Sequence, residues 1–183
     1  GGVIAGAALA RDLAVANLIT LDMGGTSADF SVILDGAPTM VPGRDIDGQP
    51  LRLPTLDIET ISAGGGSIAR VDVGGALRVG PGSAGAVPGP AAYGQGGMEA
   101  TVTDAAVVLG ILDPREFLGG DIPLHPELAH AAVERSVAKP LGLTLEEAAA
   151  GIIAIACANM NQAIRTLSVE RGHDIRGFSL LAF

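Results

Sequence analysis

Leu18-Ile19-Thr20-Leu21-Asp22-Met23-Gly24-Gly25-Thr26-Ser27-Ala28-Asp29-Phe30 is the stretch on which the reading of this chain turns. Leu18 to Leu21 is a β-favouring run, short enough for a buried strand. Phe30 to Leu34 is a second apolar run, and Asp35-Gly36 is a dipeptide of the kind that closes hairpins. Between the runs lies a strand end with an acid, then two glycines, then two hydroxyls. Gly24 and Gly25 can adopt positive φ and let backbone N–H groups point at anionic oxygens with no Cβ in the way. Thr26 and Ser27 add hydroxyl donors. Asp22 and Asp29 repel phosphate, so their natural partner is Mg²⁺ or a metal-bound water. No Gly-Lys-Ser/Thr is present and no helix follows, which excludes a Walker loop. A plain Gly-Gly hairpin flanked by two solvated acids is the competing reading of the same residues.

Outward from this centre, Val3 to Ala16 is small and apolar and predicts a short helix packed closely on a sheet. From Ala37 to about Ala100 helical periodicity disappears and Pro and Gly recur. Twelve of the 27 glycines fall between Gly64 and Gly97, and the stretch still carries Val, Ile and Tyr93. That texture predicts a folded β-rich insertion rather than a free linker. Two short strands are expected within Ser67 to Val79 around Gly74-Gly75. Thr103-Asp104 reads as a cap before a helix over Ala105 to Leu112, stopped by Asp113-Pro114. Pro126 suits the first residue of a helix reaching Ala138. Thr144 and Glu147 form a capping-box pattern ahead of a long helix whose stop is Gly172. Ala148 to Ala158 is apolar all round, predicting burial on more than one side and, with it, a buried Cys157. Phe178 to Phe183 reads as a final strand.

Composition narrows the partners. Hydrophobic residues make up 48% of the 183 and charged residues 17%, enough for a core and too apolar for a disordered chain. The formal charge of −9 leaves no basic footprint, so nucleic acid and anionic membranes are not expected partners. The lone cysteine cannot form an internal disulfide, which fits a reducing cytoplasm. No run of about 20 apolar residues offers a membrane span. The Gly-Gly-Val-Ile-Ala-Gly start and the end at a strand read as cuts made inside a larger protein.

The hairpin looks like the second phosphate hairpin of the actin-like ATPase superfamily. More specifically, several runs in order resemble the hydantoinase A/5-oxoprolinase family. They are Asp22 to Ser27, Ala63-Gly64-Gly65-Gly66-Ser67-Ile68-Ala69, Gly80 to Ala86 with Pro88-Gly89-Pro90, Tyr93-Gly94 with Gly96-Gly97, Thr101 to Ala105, and Phe117 to Gly120. The resemblance implies an α/β fold: a fragment of an actin-like (ribonuclease H-like) ATPase domain with a Gly/Pro-rich β insertion. Residues 1–36 would start the lobe, 37–100 would form the insertion, and 101–183 would return to the same lobe. It further implies ATP and Mg²⁺ as cofactors and a cyclic amide as substrate, whose carbonyl oxygen ATP phosphorylates before water opens the ring. A B-type subunit, separate or fused, is the implied partner, and a homo-oligomer is possible. An acetone-type ketone carboxylase and a non-catalytic scaffold subunit are the alternatives.

Carried onto this sequence, Asp22 and Asp29 would organise metal and water, and Gly24, Gly25, Thr26 and Ser27 would cradle phosphates. Gly64, Gly65, Gly66 and Ser67 would form a backbone-rich wall for nucleotide or substrate. The chain departs from the family at Ala28, usually Thr, and at Ala92, often Cys. The family's first phosphate loop and its adenosine loop lie outside these 183 residues. Elsewhere, His125, His130 and His173 lack metal-ligand spacing. Asp104 reads as a cap and Tyr93 as packing, and Arg165 is expected to pair with Glu170 or Asp174.

Overall fold

The runs on either side of Asp22–Asp29 both become strands, and the register between them decides what the acids face. A computed structural model describes residues 1–183. The opening elements are helix α1 (Gly2–Asp12) and strands β1 (Leu18–Met23), β2 (Ala28–Leu34), β3 (Ala37–Pro38) and β4 (Met40–Val41). Next come β5 (Arg44–Ile46), β6 (Gln49–Leu51), β7 (Thr55–Leu56), β8 (Ile58–Ile61), β9 (Ser67–Val71) and β10 (Leu77–Ser83). Helices α2 (Val102–Val108), α3 (Pro126–Val133), α4 (Lys139–Leu141) and α5 (Leu145–Leu167) follow, and β11 (Ser179–Ala182) closes the chain. The fold is mixed α/β and packs as two compact units. One unit holds Gly1–Met23, Ala28–Ile61 and Asn161–Phe183; the other holds Gly24–Ser27 and Ser62–Met160.

In the first unit β1 pairs antiparallel with β2 and parallel with β11. The far edge of β2 is shared by β3, at Ile33 and Leu34, and β8, at Ala28 to Ser31. Asp35 (φ 49°) and Gly36 (φ 74°) make the expected hairpin turn, and Asp47 (φ 50°) with Gly48 (φ 76°) repeats it between β5 and β6. Helix α1 buries Ala7 and Ala10 with Leu18 and Ile33. A Cβ added at Gly6 would stand 2.7 Å from Thr20 Cγ2, so only glycine allows this helix-to-sheet approach. The nearly buried Asp57, just before β8, forms an ion pair with Arg171.

In the second unit, β9 and β10 form the hairpin expected around Gly74-Gly75. Asp72 ties its turn, one oxygen accepting from the N–H groups of Gly74 and Ala76, the other from Arg78 Nε at 2.8 Å. The core joins Ala69, Val79, Ala100, Val102 and Ala105 to Val133, Val137 and the α5 residues Ala148, Ala149, Ile152 and Ala156. Alanine dominates this list, which brings backbones close at little side-chain entropy cost. Helix α3 begins with Pro126 as expected and passes through a π turn, Glu134–Ala138, into α4. The capping box at α5 is formed. Thr144 N–H and Oγ1 donate to Glu147 Oε2, and Glu147 N–H donates to Thr144 Oγ1 at 3.2 Å.

Four expectations are corrected. Helix α2 is capped by Thr101, not Thr103, with Asp104 at the third helical position completing its box. It ends at Val108, before the left-handed Gly110, rather than at Leu112. Helix α5 ends at Leu167, because the buried Ser168 turns its hydroxyl back onto the Ile164 carbonyl. Gly172 (φ 85°) instead stops the separate 3₁₀ turn Val169–Arg171. Between Ala148 and Ala158 the helix is buried on one side only, and Ala154, Cys157 and Ala158 are exposed. Their small side chains leave little apolar area in water, so a single buried stripe suffices. No single helix is long and apolar enough to cross a membrane.

Candidate functional site

The acids sit in the first unit, where the register sets Asp22 directly opposite Asp29, and Asp29 opposite Thr60 of β8. Thr60 Oγ1 donates to Asp29 Oδ1 at 2.6 Å, fixing one carboxylate oxygen. Two residues along the same face, Thr20 and Ser31 are buried and share a 2.6 Å hydroxyl bond. A cleft of about 80 Å³ opens here, lined by Thr20, Asp22, Asp29, Ile58, Gly2 and Phe183. Like charges directly opposite one another weaken a strand pair, and a cation between them offsets that cost. No cluster of three or more His, Cys, Asp or Glu exists to form a dedicated cage. Two hard oxygen carboxylates and no cage match the way Mg²⁺ is held, through one or two carboxylates plus a substrate's phosphates.

The turn residues belong to the second unit, and their hydrogen bonding is unusual for a tight turn. Gly24 N–H donates to the Ser27 carbonyl at 2.9 Å. The usual reverse bond, from the fourth residue's N–H to the first residue's carbonyl, is missing. The Gly24 carbonyl accepts instead from Gly65 N–H at 3.0 Å, and the Gly25 carbonyl from Gly66 N–H at 2.6 Å. Three consecutive N–H groups, those of Gly25, Thr26 and Ser27, therefore have no partner within the chain. Gly25 and Thr26 are exposed and Ser27 is half-buried, so the groups are open to water or to a ligand. Successive free N–H groups of this kind are what anion-binding concavities are made of. Neither Gly24 nor Gly25 uses the positive φ open to glycine. The turn closes through its partner loop, so left-handed backbone is not required.

That partner loop is Gly64 to Ser67, and all four of its N–H groups are spent internally. Gly64 N–H donates to Ser67 Oγ at 2.9 Å and Ser67 N–H to the Gly64 carbonyl at 3.0 Å, while Gly65 and Gly66 hold the turn. The run faces the turn as a brace. Its glycines are needed for proximity: a Cβ at Gly64 would stand 2.6 Å from Gly24 O and 2.7 Å from Gly25 C. Gly64→Ala should therefore cost about 1–3 kcal/mol, the usual range for overpacking against backbone. Thermal unfolding of the full-length protein would measure it; an unchanged melting point would disprove the close approach.

Behind the brace lies the start of α2. Thr103 donates both its N–H (2.8 Å) and its hydroxyl (2.9 Å) to the Gly65 carbonyl. The fully buried Asp104 accepts from Ala91, Ala92 and Thr101 N–H and from the Thr101 hydroxyl. Burial pushes its carboxyl above the ordinary aspartate value, against the pull of those four donors. Thr60 was not singled out from the sequence, and Thr103 was read only as a helix cap. Nothing local indicated that either hydroxyl would reach a distant residue. Of the remaining candidates, Tyr93 packs on Phe117 and lies beside Thr103 and Asp104, where burial pushes its phenol above the ordinary value. The others fall outside these clusters: His125 Nδ1 lies 3.2 Å from Glu127, and Asp174 is taken by Arg176, leaving the exposed Arg165 without an ion pair.

The family model for hydantoinase/oxoprolinase matches residues 1–183. The chain belongs to the hydantoinase/oxoprolinase family. Within that family it is 45% identical over 177 residues to the caprolactamase subunit alpha of Pseudomonas jessenii, covering 97% of this chain and 25% of that protein. The crystal structure of the ATP-dependent caprolactamase from Pseudomonas jessenii superposes with a TM-score of 0.90 at 44% identity, over 99% of this chain and 26% of that one. The nucleotide-free structure of an acetone carboxylase, described as an ATP-dependent carboxylation enzyme, gives 0.87 at 32% identity, over 98% of this chain and 25% of that one. The chain thus spans about a quarter of the length of these hydantoinase/oxoprolinase relatives.

Proposed function

We propose that this chain supplies phosphate-binding elements to an ATP-dependent enzyme that opens cyclic amides. The observation that carries the reading is the run of three free N–H groups at Gly25, Thr26 and Ser27, in a turn flanked in sequence by the facing acids Asp22 and Asp29. The likeness to an ATP-dependent caprolactamase supports the substrate class. In this reading residues 1–36 and 101–183 form part of one lobe of an actin-like ATPase domain, and 37–100 is the insertion.

Bound ATP with Mg²⁺ would supply a transferable phosphoryl group, which on the lactam oxygen would make the ring carbon electrophilic enough for water to add and the ring C–N bond to break, with inorganic phosphate released afterwards by hydrolysis. The chain's own part is positioning and charge neutralisation. The N–H groups of Gly25, Thr26 and Ser27 donate to phosphate oxygens, and the Thr26 and Ser27 hydroxyls add donors. Asp22 and Asp29 take the metal or its waters. Thr60 holds one oxygen of Asp29 and leaves the other available. Gly64 to Ser67 keeps the turn in shape and offers no N–H of its own. A B-type subunit completes the enzyme, a reading supported by the subunit naming of the caprolactamase relative. The cytoplasm, where ATP is supplied, is the compartment we assign.

Magnesium-ATP at 100 times its Kd should stabilise the full-length protein by about 2.7 kcal/mol through mass action. A melting point unmoved by saturating ATP would overturn the nucleotide reading. Carboxylation of a ketone is the second reading, favoured by the acetone carboxylase likeness. Lactam-dependent ATP consumption supports the first. ATP consumption that needs a ketone and bicarbonate supports the second.

A further inference from the structure

We infer that Thr103 is the positioning residue that keeps the Gly24–Ser27 turn open to a phosphate, an inference that rests on the nucleotide reading above. A four-residue turn left to itself would close by donating Ser27 N–H to the Gly24 carbonyl. Here that carbonyl is occupied by Gly65 N–H, and the next one by Gly66 N–H, which frees Ser27 N–H along with its two neighbours. The Gly65–Gly66 peptide can hold its Gly66 N–H on the Gly25 carbonyl because its own carbonyl, that of Gly65, is gripped from the other side by two donors of one residue, Thr103 N–H and Thr103 Oγ1.

The grip is built for this pairing. Thr103 is 6% exposed, so its hydroxyl has no easy exchange with water. A Cβ at Gly65 would stand 2.7 Å from that oxygen, so glycine at 65 and a hydroxyl at 103 fit each other. Next to it, Asp104 anchors the start of α2 through four accepted hydrogen bonds, so the Thr103 donors stand on a fixed base. The order of action runs from Asp104 to Thr103, to the Gly65–Gly66 peptide, through Gly66 N–H to the Gly25 carbonyl, and so to the N–H groups a phosphate would take. Thr103 touches no substrate in this scheme; it acts through the glycine loop.

The test uses the full-length protein with ATP and Mg²⁺, comparing wild type, Thr103→Val and Thr103→Ser. Valine keeps the shape and the backbone donor and removes the hydroxyl; serine keeps the hydroxyl. Loss of one buried hydrogen bond predicts that Thr103→Val raises both Kd and KM for ATP about fivefold. Turnover at saturating ATP should stay within about twofold, and Thr103→Ser should return affinity to within about twofold of wild type. Amide exchange over residues 63–67 should quicken in the valine variant and not in the serine one. Equal ATP affinity in wild type and Thr103→Val overturns the inference while leaving the nucleotide reading intact. Equal weakening in both variants overturns it too, because packing rather than the hydroxyl would then be responsible. Wild-type protein that binds no ATP overturns the nucleotide reading, and this inference with it.

Discussion

Asp22→Asn in the full-length enzyme should lower ATP-dependent turnover by about two to three orders of magnitude, the scale on which removing one preorganised electrostatic group acts. The substitution is nearly isosteric and lies at the exposed end of β1, so the fold has little reason to suffer. It should gain slightly instead, because Asp22 faces Asp29 across the ladder and neutralising one carboxylate relieves about 0.2–1 kcal/mol of cross-strand repulsion. Opposite signs for activity and stability are the signature of a charge kept for a ligand. Steady-state ATP hydrolysis and thermal melting on the same preparation read both. Turnover equal to wild type would remove Asp22 from the chemistry.

Asp104→Ala should show the reverse pattern, with stability lost first. Asp104 Oδ2 accepts from Thr101 N–H at 2.9 Å and Thr101 Oγ1 at 2.7 Å, and Oδ1 from Ala92 N–H at 2.7 Å. Alanine would strand these buried donors together, at an expected cost of about 3–5 kcal/mol. Asn keeps only one accepting oxygen and should fall between. Denaturant unfolding of the full-length protein measures the series, and wild-type stability in the alanine variant would refute the clamp.

The pH dependence carries its own sign. Burial holds the Asp104 carboxyl above the ordinary 3.8. As pH rises from 3.8 toward the raised value, the unfolded chain has released this proton and the folded chain still keeps it. Stability from this group therefore falls with rising pH across that window. Glu147, lowered below 4.5 first by Thr144 N–H and then by its hydroxyl, acts oppositely and loses its contribution as pH falls. Asp104→Asn should abolish the falling limb.

Signals confined to a few neighbouring residues were legible in advance. β1 and β2 follow from two apolar runs, the Asp35 turn from one dipeptide, and the α5 start from Thr144 and Glu147. Pairings between distant residues were not. Gly65 reaches Gly24 across some forty positions, Arg171 reaches Asp57 across more than a hundred, and β8 finds the free edge of β2. Nothing local in a glycine says whether its N–H will stay free or meet a carbonyl, which is why Gly24 to Ser27 and Gly64 to Ser67 read alike, yet one run leaves three N–H groups unpaired and the other spends all four. Helix ends failed for a related reason. At Ser168 a buried hydroxyl bonding back to the preceding turn ended α5 ahead of the more conspicuous Gly172.

The backbone alternates between the two units at four places, after Met23, Ser27, Ile61 and Met160. No contiguous stretch of gene therefore encodes either one alone, and a single breakpoint anywhere in the chain leaves the first unit incomplete. Added sequence is best tolerated at exposed tips such as Asp47-Gly48, which lie away in the chain from all four crossings.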